Sequence, residues 1–208
     1  MTNETKQVKL HSRGGAKRLA RIALFTALTA VCAQISIPLP GGVPITLQTL
    51  AVMLASIALG FDGVAAVAVY VFLGLIGVPV FSKFGATASL VSPTGGYIVG
   101  FLPMSALMAT IIKTFEKHNE NGLKPAEKRG GARRYFLVFA IASLLGTIVC
   151  YTFGSAWFIG LFALKGAEKS IGYVLSVCVV PFILPDLLKI ALASYLGAVM
   201  CKTIRKNA

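Results

Sequence analysis

Charge is scarce in this sequence. Only 13% of its 208 residues are charged, about half the ~25% usual for a soluble domain. Acids are the scarcest of all, seven Asp and Glu together. Apolar residues make up 56% of the chain, and mean hydropathy is +0.80. These figures exclude an ordinary water-soluble domain, and the apolar fraction excludes an intrinsically disordered chain. Cysteine is sparse as well. Cys32, Cys150, Cys178 and Cys201 are scattered, with no CxxC pair and no metal-ligand spacing. Each lies in or at the end of an apolar stretch, where a free thiol behaves as a small hydrophobe. Cys201 beside Lys202 carries only a weak lipidation signal. The two histidines, His11 and His118, stand far apart in polar segments and make no metal site. Walker A, GxGxxG, HExxH and GxSxG patterns are absent. No catalytic residue, cofactor or metal site follows from these residues, and no motif supplies ATP hydrolysis.

What the sequence does have is an excess of base, 20 Lys and Arg for a net charge of +13. In a soluble protein such an excess points to nucleic acid. In an apolar chain it points to basic loops on the cytoplasmic side of a membrane. Six apolar stretches are legible, at about 19–37, 47–61, 63–81, 96–112, 136–164 and 171–201. A spanning helix needs about 20 such residues. The first, third and fourth stretches meet that length, and the second is short. Asp62 and its neighbours alone separate the second from the third, which predicts a tight helical hairpin. The last two are long enough to tilt or bend. The basic start and following apolar run also resemble a signal peptide, but no small-x-small cleavage site stands near Ile37 and further apolar segments follow.

The positions of the cations decide between the readings. Six lie before the first stretch (Lys6 to Arg21), seven between the fourth and fifth (Lys113 to Arg134), and three at the C-terminus (Lys202, Arg205, Lys206). With six helices these regions share one side. The other side receives Lys83, Lys165 and Lys169. The positive-inside rule therefore predicts cytoplasmic termini. Residues 113–135 carry three acids among their bases and almost no aromatics, so they read as an orientation-setting loop and the nucleic-acid reading falls away. The expected organisation is a basic tail over 1–18, one six-helix domain over 19–202 and a short basic tail over 203–208.

An ionisable residue inside a membrane helix costs about 2.5–3.5 kcal/mol on insertion scales, so it faces a partner or a cavity. Asp186 and Lys189 are the two clear cases. Their i, i+3 spacing puts them on one helix face. Counting back from Lys202 puts them ~24 Å and ~20 Å from that boundary, toward the outer leaflet of a ~30 Å core. Pro181 and Pro185 interrupt backbone bonding just above them. Two outer loops deliver further polar groups to this depth. Residues 38–46, uncharged and stiffened by three prolines, lead to Thr46, Gln48 and Thr49. Residues 82–96 supply Lys83 and Ser89 and end at Thr94 and Tyr97. Singly, each is ordinary cap or turn chemistry. Together they describe an outward pocket with a few polar groups in an apolar wall, suited to a small polar molecule and unsuited to a polyphosphate. The competing reading makes Asp186 and Lys189 an internal ion pair that only holds helices together. The first stretch also carries small residues at helical spacing, Ala23-x-x-x-Ala27 with Ala30. Gly96-x-x-x-Gly100 repeats the pattern in the fourth. Such spacing lets another helix approach closely.

Four segments in this order resemble the BioY family, the biotin-binding S components of energy-coupling factor (ECF) transporters. They are Ala-Leu-Phe-Thr-Ala-Leu-Thr-Ala (23–30), Pro-Ile-Thr-Leu-Gln-Thr-Leu-Ala (44–51), Pro-Thr-Gly-Gly-Tyr (93–97) and Asp-Leu-Leu-Lys (186–189). The resemblance runs from about 19 to 202. It implies an all-α membrane bundle of six helices with the ECF S-component fold, in the cell membrane, without enzymatic activity of its own. It implies biotin as ligand, bound from outside. As partners it implies a transmembrane coupling protein and a pair of ABC-type ATPases that supply the missing engine. It assigns substrate contact to Asp186 and Lys189, and the small face of the first helix, Ala23 and Ala27 with Ala30, to the coupling protein. Biotin's ureido ring offers N–H donors and a carbonyl acceptor, which a carboxylate and an ammonium match. Which end of biotin Lys189 meets stays open, because the ligand's carboxylate competes. The chain departs from the family pattern at Ser92, where Gly is common, and at Leu184-Pro185, where Pro-Gly is common. The remaining alternatives are an S component for another small vitamin, or a structural membrane subunit.

Overall fold

The computed structural model describes residues 3–39, 42–122, 131–167 and 170–206. Seven helices of eight residues or more build a bundle. They are α1 (Asn3–Gln34), α2 (Gln48–Leu59), α3 (Phe61–Leu75), α5 (Gly95–Gly122), α6 (Gly131–Leu164), α7 (Ile171–Cys178) and α8 (Val180–Lys206). The single turn α4 (Thr87–Leu90) precedes α5. A short antiparallel ribbon joins β1 (Ser36–Ile37) to β2 (Ile45–Thr46), pairing Ser36 with Thr46 and Ile37 with Ile45. The expected helical bundle is present, and it differs from the sequence reading in four places.

First, the sixth apolar stretch folds as two helices. The break falls at Val179 (φ −126°, ψ −57°). Pro181 sits in the first turn of α8, where a missing N–H costs nothing. Pro185 lies inside α8, where it removes one ladder bond.

Second, three described helical spans are long and apolar enough to cross a membrane, over Gly95–His118, Ala132–Leu164 and Ile171–Met200, the last made of α7 and α8 together. The first and third stretches are shorter than expected. α1 ends at Gln34, and α3 has 15 residues, about 22 Å of rise. Val78 and Pro79 follow Gly77 at φ +98°, and there the helix stops. α2, at 12 residues, is as short as its sequence indicates.

Third, the basic regions are largely helical. α1 starts at Asn3, and α5 and α6 extend to Gly122 and back to Gly131. Lys124, Lys128, Arg129 and Lys169 lie outside the described residues, as do the side chains of Lys6, Lys9, Arg13, Cys201, Lys202, Arg205 and Lys206. Fourth, the loops 38–46 and 82–96 are structured, the one by the ribbon and the other by a 3-10 turn (Ser82–Phe84) and α4.

The expected hairpin forms at Gly60 (φ +59°), which ends α2 and starts α3. Here the helices touch. A Cβ on Gly63 would lie 2.3 Å from the Ala55 carbonyl oxygen. The Gly96-x-x-x-Gly100 face of α5 packs on α6, where a Cβ on Gly96 would meet Trp157 Cβ at 2.2 Å and one on Gly100 would meet Phe153 Cβ at 3.1 Å. That motif therefore serves packing within this bundle.

Side-chain placement is inverted relative to a soluble helix. On α8, Leu184, Leu187, Leu188 and Leu192 are exposed, while Asp186, Lys189 and Ser194 are buried. Leu24, Val31, Phe72 and Ile141 are likewise exposed on other helices. An apolar outside around a polar inside is what a hydrocarbon solvent selects. Charge collects at one end of the bundle. Arg18 pairs with Asp62 at 2.7 Å. Lys113 lies over the Phe61 ring at 5.1 Å, and Arg134 over Phe115 at 5.2 Å. At the other end, the short helices leave a volume that the ribbon and the 76–94 segment line.

Candidate functional site

That volume is a pocket of about 230 Å³, somewhat below the roughly 300–1,000 Å³ usual for small-molecule sites. All nine residues expected at the site line it: Thr46, Gln48, Thr49, Lys83, Ser89, Thr94, Tyr97, Asp186 and Lys189. They come from the ribbon, α2, the 3-10 turn, α4 and its exit, α5 and α8. The sequence reading did not find the wall between them, which includes Phe81, Ile98, Phe101, Tyr151 and Phe182. Apolar residues in an apolar chain carry no distinguishing signal.

The floor is ionic. Lys189 Nζ lies 2.6 Å from Asp186 Oδ1, and both side chains are almost fully buried. Lys189 also donates to Thr49 Oγ1 at 3.1 Å. Thr49 in turn donates to Asp186 Oδ1 at 3.3 Å. Tyr151 donates to Asp186 Oδ2 at 2.7 Å. The pair on α8 is thus tied to α2 through Thr49 and to α6 through Tyr151. A carboxylate has about four lone-pair sites and an ammonium three donors. Three acceptor sites and two donors are engaged among the described residues, which leaves one of each uncommitted in side chains that line the pocket. This floor can hold a neutral group that presents one N–H and one carbonyl.

The wall groups are preorganised. Thr46 donates to Gln48 Oε1 at 2.9 Å. Gln48 Nε2 donates to the Tyr70 hydroxyl, which donates to the Val80 carbonyl at 3.3 Å. This chain runs from the ribbon through α2 and α3 to the segment before the 3-10 turn, and it holds Gln48 in one orientation. Ser92, Thr94 and the Ser89 carbonyl form a second cluster, with Ser92 Oγ to Thr94 Oγ1 at 2.7 Å and Ser92 Oγ to Ser89 O at 2.7 Å. Trp157 of α6 caps it by donating to the Ser92 carbonyl at 3.1 Å. Ser92 therefore serves this turn. Tyr97 donates its hydroxyl proton to the Cys178 carbonyl at 2.6 Å. That carbonyl is the one released where α7 breaks, since Phe182 N–H bonds Val179 O instead. The Tyr97 ring lines the pocket while its hydroxyl holds the α7–α8 junction.

On the outer surface, Ala23 and Ala27 are exposed on α1, flanked by exposed Leu24 and Leu28. Ala30 is half-buried and packs against the bundle's own core. Among the described residues, no group of three or more His, Cys, Asp and Glu side chains is placed to hold a metal ion.

The family model for the BioY family matches residues 2–206. A protein of Thermotoga maritima named "Biotin transporter BioY" is 38% identical over 183 residues, which cover 87% of this chain and 94% of that protein. A protein of Pyrococcus horikoshii named "Probable biotin transporter BioY" is 37% identical over 180 residues, covering 86% and 92%. Among solved structures, the 2.1 Å crystal structure of the S-component for biotin from an ECF-type ABC transporter superposes with a TM-score of 0.73 at 25% identity. That match covers 97% of this chain and 95% of the other. The fold is therefore that of an ECF S component, a multi-pass membrane bundle.

Proposed function

The chain belongs to the BioY family, and on that premise we propose that it is the biotin-binding membrane subunit of an uptake transporter. It takes biotin from the outer face into the pocket above Asp186 and hands it to the cytoplasm. A transmembrane coupling protein and a pair of ABC-type ATPases supply the energy. Its place is the cell membrane, with both termini and the charged end of the bundle in the cytoplasm, as the clustering of basic residues favours. The exposed Ala23 and Ala27 face of α1 meets the coupling protein. Ala30 belongs to the same small-residue stripe and is half-buried against the bundle's own core.

The observation that carries this reading is the unfilled hydrogen-bonding capacity beside the buried Asp186–Lys189 pair. Asp186 accepts one ureido N–H, and Lys189 donates to the ureido carbonyl. Gln48, Thr46, Thr49, Thr94, Ser89, Tyr97 and Lys83 form the rest of the ligand shell. A thermal-shift panel of biotin, thiamin and riboflavin on the purified protein tests it, because a ligand that binds only the folded state raises the midpoint. Biotin alone should raise it. A shift with thiamin or riboflavin instead would reassign the vitamin.

One observation favours the structural alternative, that the Asp186 pair is already bonded to α2 and α6 and so ties helices together. On that reading no vitamin stabilises the protein, and Asp186→Asn unfolds it in detergent.

A further inference from the structure

We propose that Lys83 binds the carboxylate of the ligand at the pocket mouth, so that biotin enters with its neutral ureido ring toward Asp186 and its anionic end toward Lys83. This rests on the function proposed above and assigns the ligand's orientation within it.

Three ionised side chains line the pocket: Lys83, Asp186 and Lys189. With two cations and one carboxylate, the lining carries a net charge of +1, which suits a monoanion. The cations are not equivalent. Lys189 is buried and already neutralised by Asp186 at 2.6 Å. A second carboxylate brought to Lys189 would sit against Asp186 away from water, where like charges repel strongly. Lys83 is exposed, and no carboxylate reaches it among the described residues. The floor thus favours the neutral end of the ligand and the mouth favours the anionic end.

The backbone supports the assignment. Lys83 has φ +56° and ψ +38°, the one non-glycine among the described residues with positive φ. A side-chain-bearing residue is disfavoured there by roughly 1–2 kcal/mol, and such conformations cluster at ligand sites. The conformation is imposed by its neighbours. Phe81 N–H bonds Gly85 O at 2.9 Å, and Gly85 N–H bonds Ser82 O at 3.1 Å. Phe81 itself is fully buried and anchored through its carbonyl by Gln34 Nε2 at 3.0 Å. A turn closed this tightly on a buried anchor holds the Lys83 backbone at the pocket rim.

Calorimetric titration of the full chain in detergent tests this, using biotin and biotin amide, whose neutral carboxamide replaces the carboxylate. Wild type should bind biotin about tenfold more tightly than the amide, within the range for a charge-assisted hydrogen bond. Lys83→Met should lower biotin affinity to the level of the amide and leave amide affinity unchanged. Lys83→Gly removes the charge while accepting the left-handed backbone, and it should behave the same way. Lys83→Arg should keep the preference for biotin. Variants that retain the tenfold preference, or that lose both ligands equally, overturn the assignment. Wild type binding both ligands equally overturns it while leaving the proposed function standing. Wild type binding neither ligand overturns both.

Discussion

Two ion pairs of nearly equal length stand at opposite ends of this bundle. Arg18 and Asp62 meet at 2.7 Å with their side chains 63% and 27% exposed. Lys189 and Asp186 meet at 2.6 Å with 7% and 4% exposed. The hydrogen bond and charge of Asp62 hold the Arg18 guanidinium above its ordinary value. Water and salt screen that pair, and such contacts contribute little to stability. The buried pair is different in kind. Desolvation makes it costly to form and costlier still to leave half-made. Distance alone does not rank ion pairs, and surroundings do. One pair sits among the charges that collect at its end of the bundle, and the other is the floor of a pocket.

Five substitutions test that contrast, from the largest expected effect to the smallest. Asp186→Asn leaves a buried ammonium without its counter-ion, and it should cost about 3–5 kcal/mol of stability. It should also abolish measurable biotin binding by calorimetry. Adding Lys189→Met should recover much of the thermal midpoint but none of the binding. Recovery of both would make the pair purely structural. Tyr151→Phe removes one hydrogen bond to Asp186 Oδ2. It should weaken biotin binding about tenfold, on the scale of a bond to a charged group, with a folded circular dichroism spectrum. An unchanged Kd would place Tyr151 in the wall only. Thr49→Val deletes the hydroxyl that bridges the pair to α2 and should cost roughly threefold in affinity, near the lower end for a single hydrogen bond. A loss as large as that of Asp186→Asn would move Thr49 to the centre of the site. Asp62→Asn at the exposed pair should leave both midpoint and affinity unchanged at moderate salt. A large drop there would erase the contrast between the two ends.

Legibility followed the same division. Asp186 and Lys189 stood out because each ionisable residue within a membrane stretch carries a cost of its own, independent of the rest of the chain. Thr46, Gln48 and Thr94 were reachable because they follow proline- and glycine-rich loops at helix starts. Tyr151 was not. It lies in the middle of a long apolar helix where a tyrosine is unexceptional, and its contact with Asp186 spans 35 positions. The break at Val179 was also hidden. The prolines point to irregularity two to six residues later, while at the actual break the Cys178 carbonyl takes its hydrogen bond from the Tyr97 hydroxyl, 81 positions away. The expected ends of the first and third stretches lie too far along the chain, because hydropathy continues past Gln34 and Leu75 where helical hydrogen bonding does not.

The sequence by itself determined the helical membrane bundle, the gathering of charge at one end and the shared face of Asp186 and Lys189. These are local consequences of hydropathy, of per-residue insertion cost and of i, i+3 geometry. Only the tertiary structure decided which helices close around that face, that α3 stops short enough to leave a pocket there, and that Lys83 stands at its rim. Those outcomes depend on close packing between segments far apart in the chain, through glycines such as Gly63 and Gly96 that no local pattern places in space.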